Sequence, residues 1–234
     1  MEAKDILTVS LSAFAVAVAL ISFFMNYRQK HYENKRNVRK SLTEAIAELV
    51  EISIERNKLD IDKDIPLTQL TNLRRLMNSK RRYLANHVEF LIPEIPELVT
   101  DIDYNVLAGA FEAIGDYDKS QQYWDACVDT SINPVIRMQN LRGSARFQFS
   151  LGNSQLGRRK YQESLEINLP DSDNLRRMRA DTFAMWAQVE LDYGYVDEAK
   201  RLKAQALGAA GSIGHGLMKE EIIQRIEHDL QFSA

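Results

Sequence analysis

"GDYDKSQQYWDAC", residues 115–127, places a tyrosine two positions after a glycine, a serine three further on and a tryptophan four beyond that. Glycine takes the positive φ that closes a helix, and an aspartate directly after it suits the N-cap of the next helix. Gly115 and Asp116 therefore read as a tight turn, Ser120 as a small contact on the following helix, and Trp124 as bulky filler. Leu107, Ala108 and Phe111 supply the apolar stripe of the helix before the turn, and Cys127 and Val128 extend the stripe after it. Cys127, the only cysteine, is expected in the core; a single cysteine also excludes an internal disulfide and a cysteine-based zinc finger.

The same grammar returns twice. Ala145, Gly152, Gly157, Tyr161, Ser164 and Leu165 take equivalent places, and then Trp186, Ala187, Gly194, Val196, Ala199, Ala206 and Leu207. Asn153 is a second N-cap candidate, and Asn133-Pro134 is a cap followed by a proline at the first helical position. Three helix–turn–helix units at a roughly fixed period are the sign of a repeat architecture.

This pattern resembles the tetratricopeptide repeat (TPR) family, whose two-helix unit carries small residues, a Gly-x-Tyr turn and aromatics at these places. The resemblance spans residues 100–210 in three divergent units. It implies an all-α hairpin solenoid that binds partner proteins along a concave face lined by the first helix of each unit. The turn glycines are 37 and then 42 residues apart, longer than the family period of about 34. The second unit lacks the usual leading Leu-Gly, and the third has Val196 where tyrosine is common. On the family geometry the groove would present Asn105, Gln139, Arg142, Arg146 and Gln188, with Asp181 and Met185 in the third unit. Family members that grip a C-terminal carboxylate use Lys, Asn and Arg at set places. Those places hold Asn105, Gly109, Gly143, Asp181 and Met185 here, which disfavours that clamp. Arg142 and Arg146, one turn apart, could make bidentate contacts with an acidic or polar segment of a partner. Met218, Ile222, Ile226 and Leu230 alternate with charges and predict a capping helix within residues 211–234, after a connector.

Ahead of the repeats, Ile6 to Met25 carries no charged residue. Twenty helical residues reach roughly 30 Å, the thickness of a bilayer core, so residues 6–25 are expected to be a transmembrane helix behind a five-residue tail. Arg28, Lys30, Lys35, Arg36, Arg39 and Lys40 follow the run, against Lys4 before it. By the positive-inside rule the N-terminus is outside and the C-terminal domain cytoplasmic, with a bacterial inner membrane as the expected setting and the six basic residues at the headgroup surface. Ala13 and Ala17 form a weak small-xxx-small spacing.

Residues 26–60 read as a basic juxtamembrane segment and helical stalk. Val38, Leu42, Ala45, Leu49, Ile52 and Leu59 form a heptad seam interrupted at Arg56. Packing against the next helix fits this seam best, with a dimeric coiled-coil stalk second. That next helix is expected from after Pro66 to about Phe90, with Leu70, Leu73, Leu76, Met77, Leu84 and Val88 inward and Arg74, Arg75, Lys80, Arg81 and Arg82 outward. Pro93 and Pro96 then break the helical pattern, closing a segment of residues 61–99.

Catalytic grammar is absent. Gly211 to Met218 has glycines at P-loop spacing, but Leu217 and Met218 stand where Lys and Ser or Thr belong. The four histidines show no metal-ligand spacing with one another. A net charge of −3 gives no global basic field for nucleic acid. The expectation is a non-enzymatic, cofactor-free, membrane-anchored adaptor that recruits a partner protein. The alternative is a structural subunit of a membrane complex, possible as a homo-oligomer, assembled through the transmembrane helix and stalk.

Overall fold

The computed structural model describes residues 3–61 and 65–232, with side chains from Leu20 onward. Among the described residues all regular structure is helical. It divides into two units, Met1–Val99 and Thr100–Ala234.

The first unit is a hairpin of α1 (Ala3–Ile61) and α2 (Leu67–Leu91), followed by short 3-10 turns at Ile92–Glu94 and Pro96–Leu98. Leu42, Ala45, Ile46, Leu49 and Ile52 of α1 are buried, as are Leu84, Ala85, Val88 and Leu91 of α2 and Ile95 after it. The heptad seam therefore packs within the chain. Two inward–outward expectations are corrected. Leu76 is 68% exposed, while Arg81 is buried at 2%. Arg81 reaches the boundary between the helices and, with Arg56, donates to Asn78 Oδ1 at 3.1 Å. Burial beside a second guanidinium lowers its pKa.

The expected membrane anchor is also corrected. Among the described residues no helix is long and apolar enough to cross a membrane. From Arg28 on, charges recur on every turn. The single-pass placement, with an outside N-terminus and a cytoplasmic C-terminal domain, goes with the anchor. The side chains of Ile6 to Ala19, including the Ala13/Ala17 spacing, lie outside the described residues. Of the basic set, Arg28, Lys30 and Arg36 are exposed. Lys35 pairs with Glu97, and Lys40 lies 3.8 Å from Glu44.

The second unit holds three hairpins, α3 (Asp101–Ile114) with α4 (Tyr117–Asp129), α5 (Pro134–Ser150) with α6 (Ser154–Glu166), and α7 (Asp173–Asp192) with α8 (Val196–Gly211), then α9 (Gly216–Asp229). Gly115, Gly152 and Gly194 have φ of 81°, 78° and 82°. In each turn the amide after the glycine donates back to a carbonyl of the first helix, as Asp116 N does to Phe111 O at 3.0 Å. Asp116 caps α4 through Lys119 N, and Asn133 caps α5 through Ile136 N. Asn153 differs from expectation: its Nδ2 donates to Gln148 Oε1, and it makes no side-chain cap bond.

The small residues sit where the paired helices close on each other. Ser120 is fully buried and donates to Ala108 O at 2.9 Å, so its hydroxyl is satisfied at the contact. A Cβ on Gly157 would meet the Phe149 ring, and one on Gly143 would lie 2.5 Å from Trp124. Tyr161 stacks on Trp186 with ring centroids 5.3 Å apart and joins the second hairpin to the third. Cys127 is buried, its thiol donating to Asp101 O at 3.3 Å, and burial pushes its pKa up to about 12.

Candidate functional site

A cavity of about 530 Å³ opens between α5, α7 and α9. From α5 it takes Arg142. From α7 it takes Asp181, Met185 and Gln188, whose i, i+4, i+7 spacing puts them on one helix face. From α9 it takes Arg225 and Asp229, again one turn apart, over an apolar floor that includes Ile226 and Leu230.

Each helix shows this face because the opposite face is committed to the core. On α7, Trp186, Ala187, Val189 and Glu190 are buried. Glu190 is satisfied by a bidentate pair with Arg158 at 2.8 and 2.7 Å and by Trp186 Nε1 at 2.8 Å. That leaves Asp181, Met185 and Gln188 for the groove, with Met185 42% exposed. On α9, Ile222 and Ile226 face inward and turn Arg225 outward.

The groove pairs its charges unevenly. Asp181 is engaged by Arg225 and lies 3.8 Å from Arg177. Arg142, by contrast, has only a long contact to Thr182 Oγ1 at 3.4 Å, and its Nε is buried without a hydrogen-bond partner. Burial lowers the pKa of its guanidinium, against the opposing attraction of Asp181. Nearby, the Tyr161 hydroxyl is buried with no partner, and desolvation raises its pKa. Arg142 is thus the poorly paired cation of the groove lining, and the end it lines suits an acceptor group.

Of the five residues the sequence offered for partner contact, Arg142 and Gln188 line the cavity. The other three do not. Gln139 is exposed on α5. Arg146 approaches Glu112 at 3.9 Å, and Asn105 lies on α3 beside Cys127. Arg225 and Asp229 were missed because α9 reads as a cap, whose polar face looks like plain solvent cover. Their one-turn spacing was the available signal. Among the described residues, no group of three or more His, Cys, Asp and Glu could hold a metal ion.

No family model matches this chain, and no curated protein matches it. Among solved structures, the crystal structure of BtubC (BKLC) from P. vanneervenii is similar over 82% of this chain and 96% of that chain, at 15% identity and a TM-score of 0.44. A likeness of that degree assigns neither a function nor a partner here.

Proposed function

We propose that the unit from Thr100 onward is a protein-interaction module whose groove between α5, α7 and α9 takes an extended segment of a partner protein. An acidic or polar side chain of that segment sits against Arg142. The observation that carries this reading is the poorly paired, partly desolvated Arg142 guanidinium in the groove lining. An incoming carboxylate would pair with a guanidinium that the chain leaves without a carboxylate of its own, and charge-assisted bonds are the strong ones in such a site. Met185, exposed in the same groove, offers an adaptable apolar contact. The TPR-like reading of residues 100–210 points to the same use of this surface. Recruitment of a partner, rather than chemistry, is the role it supports.

The test compares partner recovery by wild type, Arg142→Ala and Arg146→Ala, with crosslinks mapped along the chain. Arg142→Ala should reduce recovery at least tenfold, since loss of one charged hydrogen-bonding contact is worth about 1.5–3 kcal/mol. Arg146→Ala should change it little. Crosslinks should fall within residues 100–232. Unchanged recovery by a folded Arg142→Ala protein, or crosslinks confined to the α1–α2 hairpin, sinks the reading.

A further inference from the structure

The groove between α5, α7 and α9 is lined by two charges of opposite sign that the chain leaves uncompensated. Arg142 of α5 is one: among the described residues it makes no ion pair, only the 3.4 Å contact to Thr182 Oγ1. Asp229, the last residue of α9, is the other. Its carboxylate meets Nδ1 of its neighbour His228 at 3.0 Å and, among the described residues, no Lys or Arg. A neutral imidazole donates an N–H there without cancelling the charge. Asp229 also stands at the C-terminal end of its helix, where free carbonyls add partial negative charge. Lys203 answers one of those carbonyls, Leu230 O at 2.6 Å, and not the carboxylate. The remaining polar side chains of the lining are engaged within the chain, Arg225 with Asp181 and Gln188 with Asp192.

The course of the helices sets the order of the two charges. The loop before α9 is bonded to Asp173 at the start of α7, and further along both helices Arg225 pairs with Asp181. The helices α7 and α9 therefore run side by side in the same sense. Arg142 is level with Thr182, which it touches. Asp229, one turn beyond Arg225, comes level with Met185 and Gln188, so the anionic point follows the cationic one by about 5.4 Å along α7. Met185, Ile226 and Leu230 give the same lining an apolar part, with Met185 exposed.

We infer that the segment this groove takes is dipolar. It presents an acidic side chain to Arg142 and, a few residues away, a lysine or arginine to Asp229, with an apolar side chain against Met185. The inference rests on the groove's being a peptide site, as proposed above, and adds a second charge and an order of charges to it. An extended chain advances about 3.3 Å per residue and turns alternate side chains to one side, so the acid and the base stand roughly two to four residues apart. A uniformly acidic segment would set like charge against Asp229 and the end of α9, and a uniformly basic one would set it against Arg142. Only a segment carrying both signs meets both points, and the mismatched ones are rejected by repulsion.

A displayed library of random peptides of about nine residues, selected on the full chain at low ionic strength, reads this preference directly. The wild type should enrich peptides with an acidic and a basic residue at that spacing beside an apolar one. One enriched peptide, and its counterpart with the basic residue replaced by glutamine, are then titrated against wild type, Asp229→Asn and Arg142→Gln, with circular dichroism to confirm retained helix. On the wild type the glutamine peptide should bind about threefold more weakly, the size of a partly exposed ion pair. On Asp229→Asn the two peptides should bind alike, and Arg142→Gln should weaken both to the same degree. Enrichment of acidic residues without basic ones, or a basic preference that survives Asp229→Asn, overturns the dipolar assignment and leaves the acidic-segment proposal standing. No enrichment on the wild type, or enriched peptides that bind Arg142→Gln as tightly as wild type, overturns both.

Discussion

Glu190 shows how one residue can hold two hairpins together. It sits on α7 with no exposed side-chain surface, and Arg158, which spans it with two bonds, comes from α6. Arg158 in turn lies over the Tyr195 ring at 4.6 Å. Removing the cation strands a buried carboxylate with only the Trp186 N–H. Arg158→Ala should therefore cost about 3–5 kcal/mol in urea denaturation. Arg158→Lys should recover only part of that, since an ammonium cannot reproduce the two-pronged geometry. A loss under 1 kcal/mol for Arg158→Ala would show that the pair is mere surface decoration. No sequence pattern announced it: Arg158 and Glu190 are 32 residues apart in different helices, and their pairing exists only once α6 and α7 are packed.

At the scale of elements, what sets the helix spacing is the small residue facing a ring. Trp124 of α4 lies over Gly143 of α5, where any side chain would meet the indole at 2.5 Å. The indole is nearly fully buried and cannot swing clear. Gly143→Ala gains helix propensity, up to about 1 kcal/mol, but overpacking costs about 1–3 kcal/mol. The net expectation is destabilisation in thermal unfolding, whereas Gly109→Ala on α3, where nothing lies within 4 Å, should be neutral or stabilising. Equal and favourable shifts for both would refute the close-approach account. The turn glycines, the Asp116 and Asn133 caps and most of the seam of α1 were legible because they obey local rules of φ, capping and period. Leu76 and Arg81 were not. Propensity and period are alike for a side chain facing the neighbouring helix and one a third of a turn away, and inside the hairpin Arg81 donates to Asn78.

Across the whole repeat unit, the loop before its last helix is held by the carboxylate of Asp173. Asp173, at the start of α7, accepts from Gly214 N at 2.8 Å and His215 N at 3.0 Å in the loop before α9. Those two amides, Gly214 first, hold its pKa below the ordinary carboxylate value, assisted by Arg176. A carboxyl with a depressed folded pKa binds its proton more readily when unfolded. Its stabilisation is therefore present above the unfolded value and is lost as the pH falls through the folded one. Hydrogen exchange at the Gly214 and His215 amides should accelerate in acid below the usual carboxylate range. Asp173→Asn should already exchange faster at neutral pH and lose that acid dependence. A variant with an unaltered pH profile would exclude Asp173 as the clasp.

By itself the sequence determined that residues 100–210 form hairpins of helices, because glycine-closed turns, caps and apolar stripes act over a few residues and need no knowledge of neighbours. It also led to a membrane helix at residues 6–25, because the uncharged run satisfies a length rule that looks only at composition along the chain. The tertiary structure decided the rest. It showed that α1 packs with α2 as a hairpin and that no described helix is long and apolar enough to cross a membrane, and it drew Arg142, Gln188, Arg225 and Asp229 into one groove while leaving Asn105, Gln139 and Arg146 outside. Which polar residues share a cavity depends on how three separate helices are rotated about their axes. That rotation is set by long-range packing of side chains such as Tyr161 on Trp186, which no local period encodes.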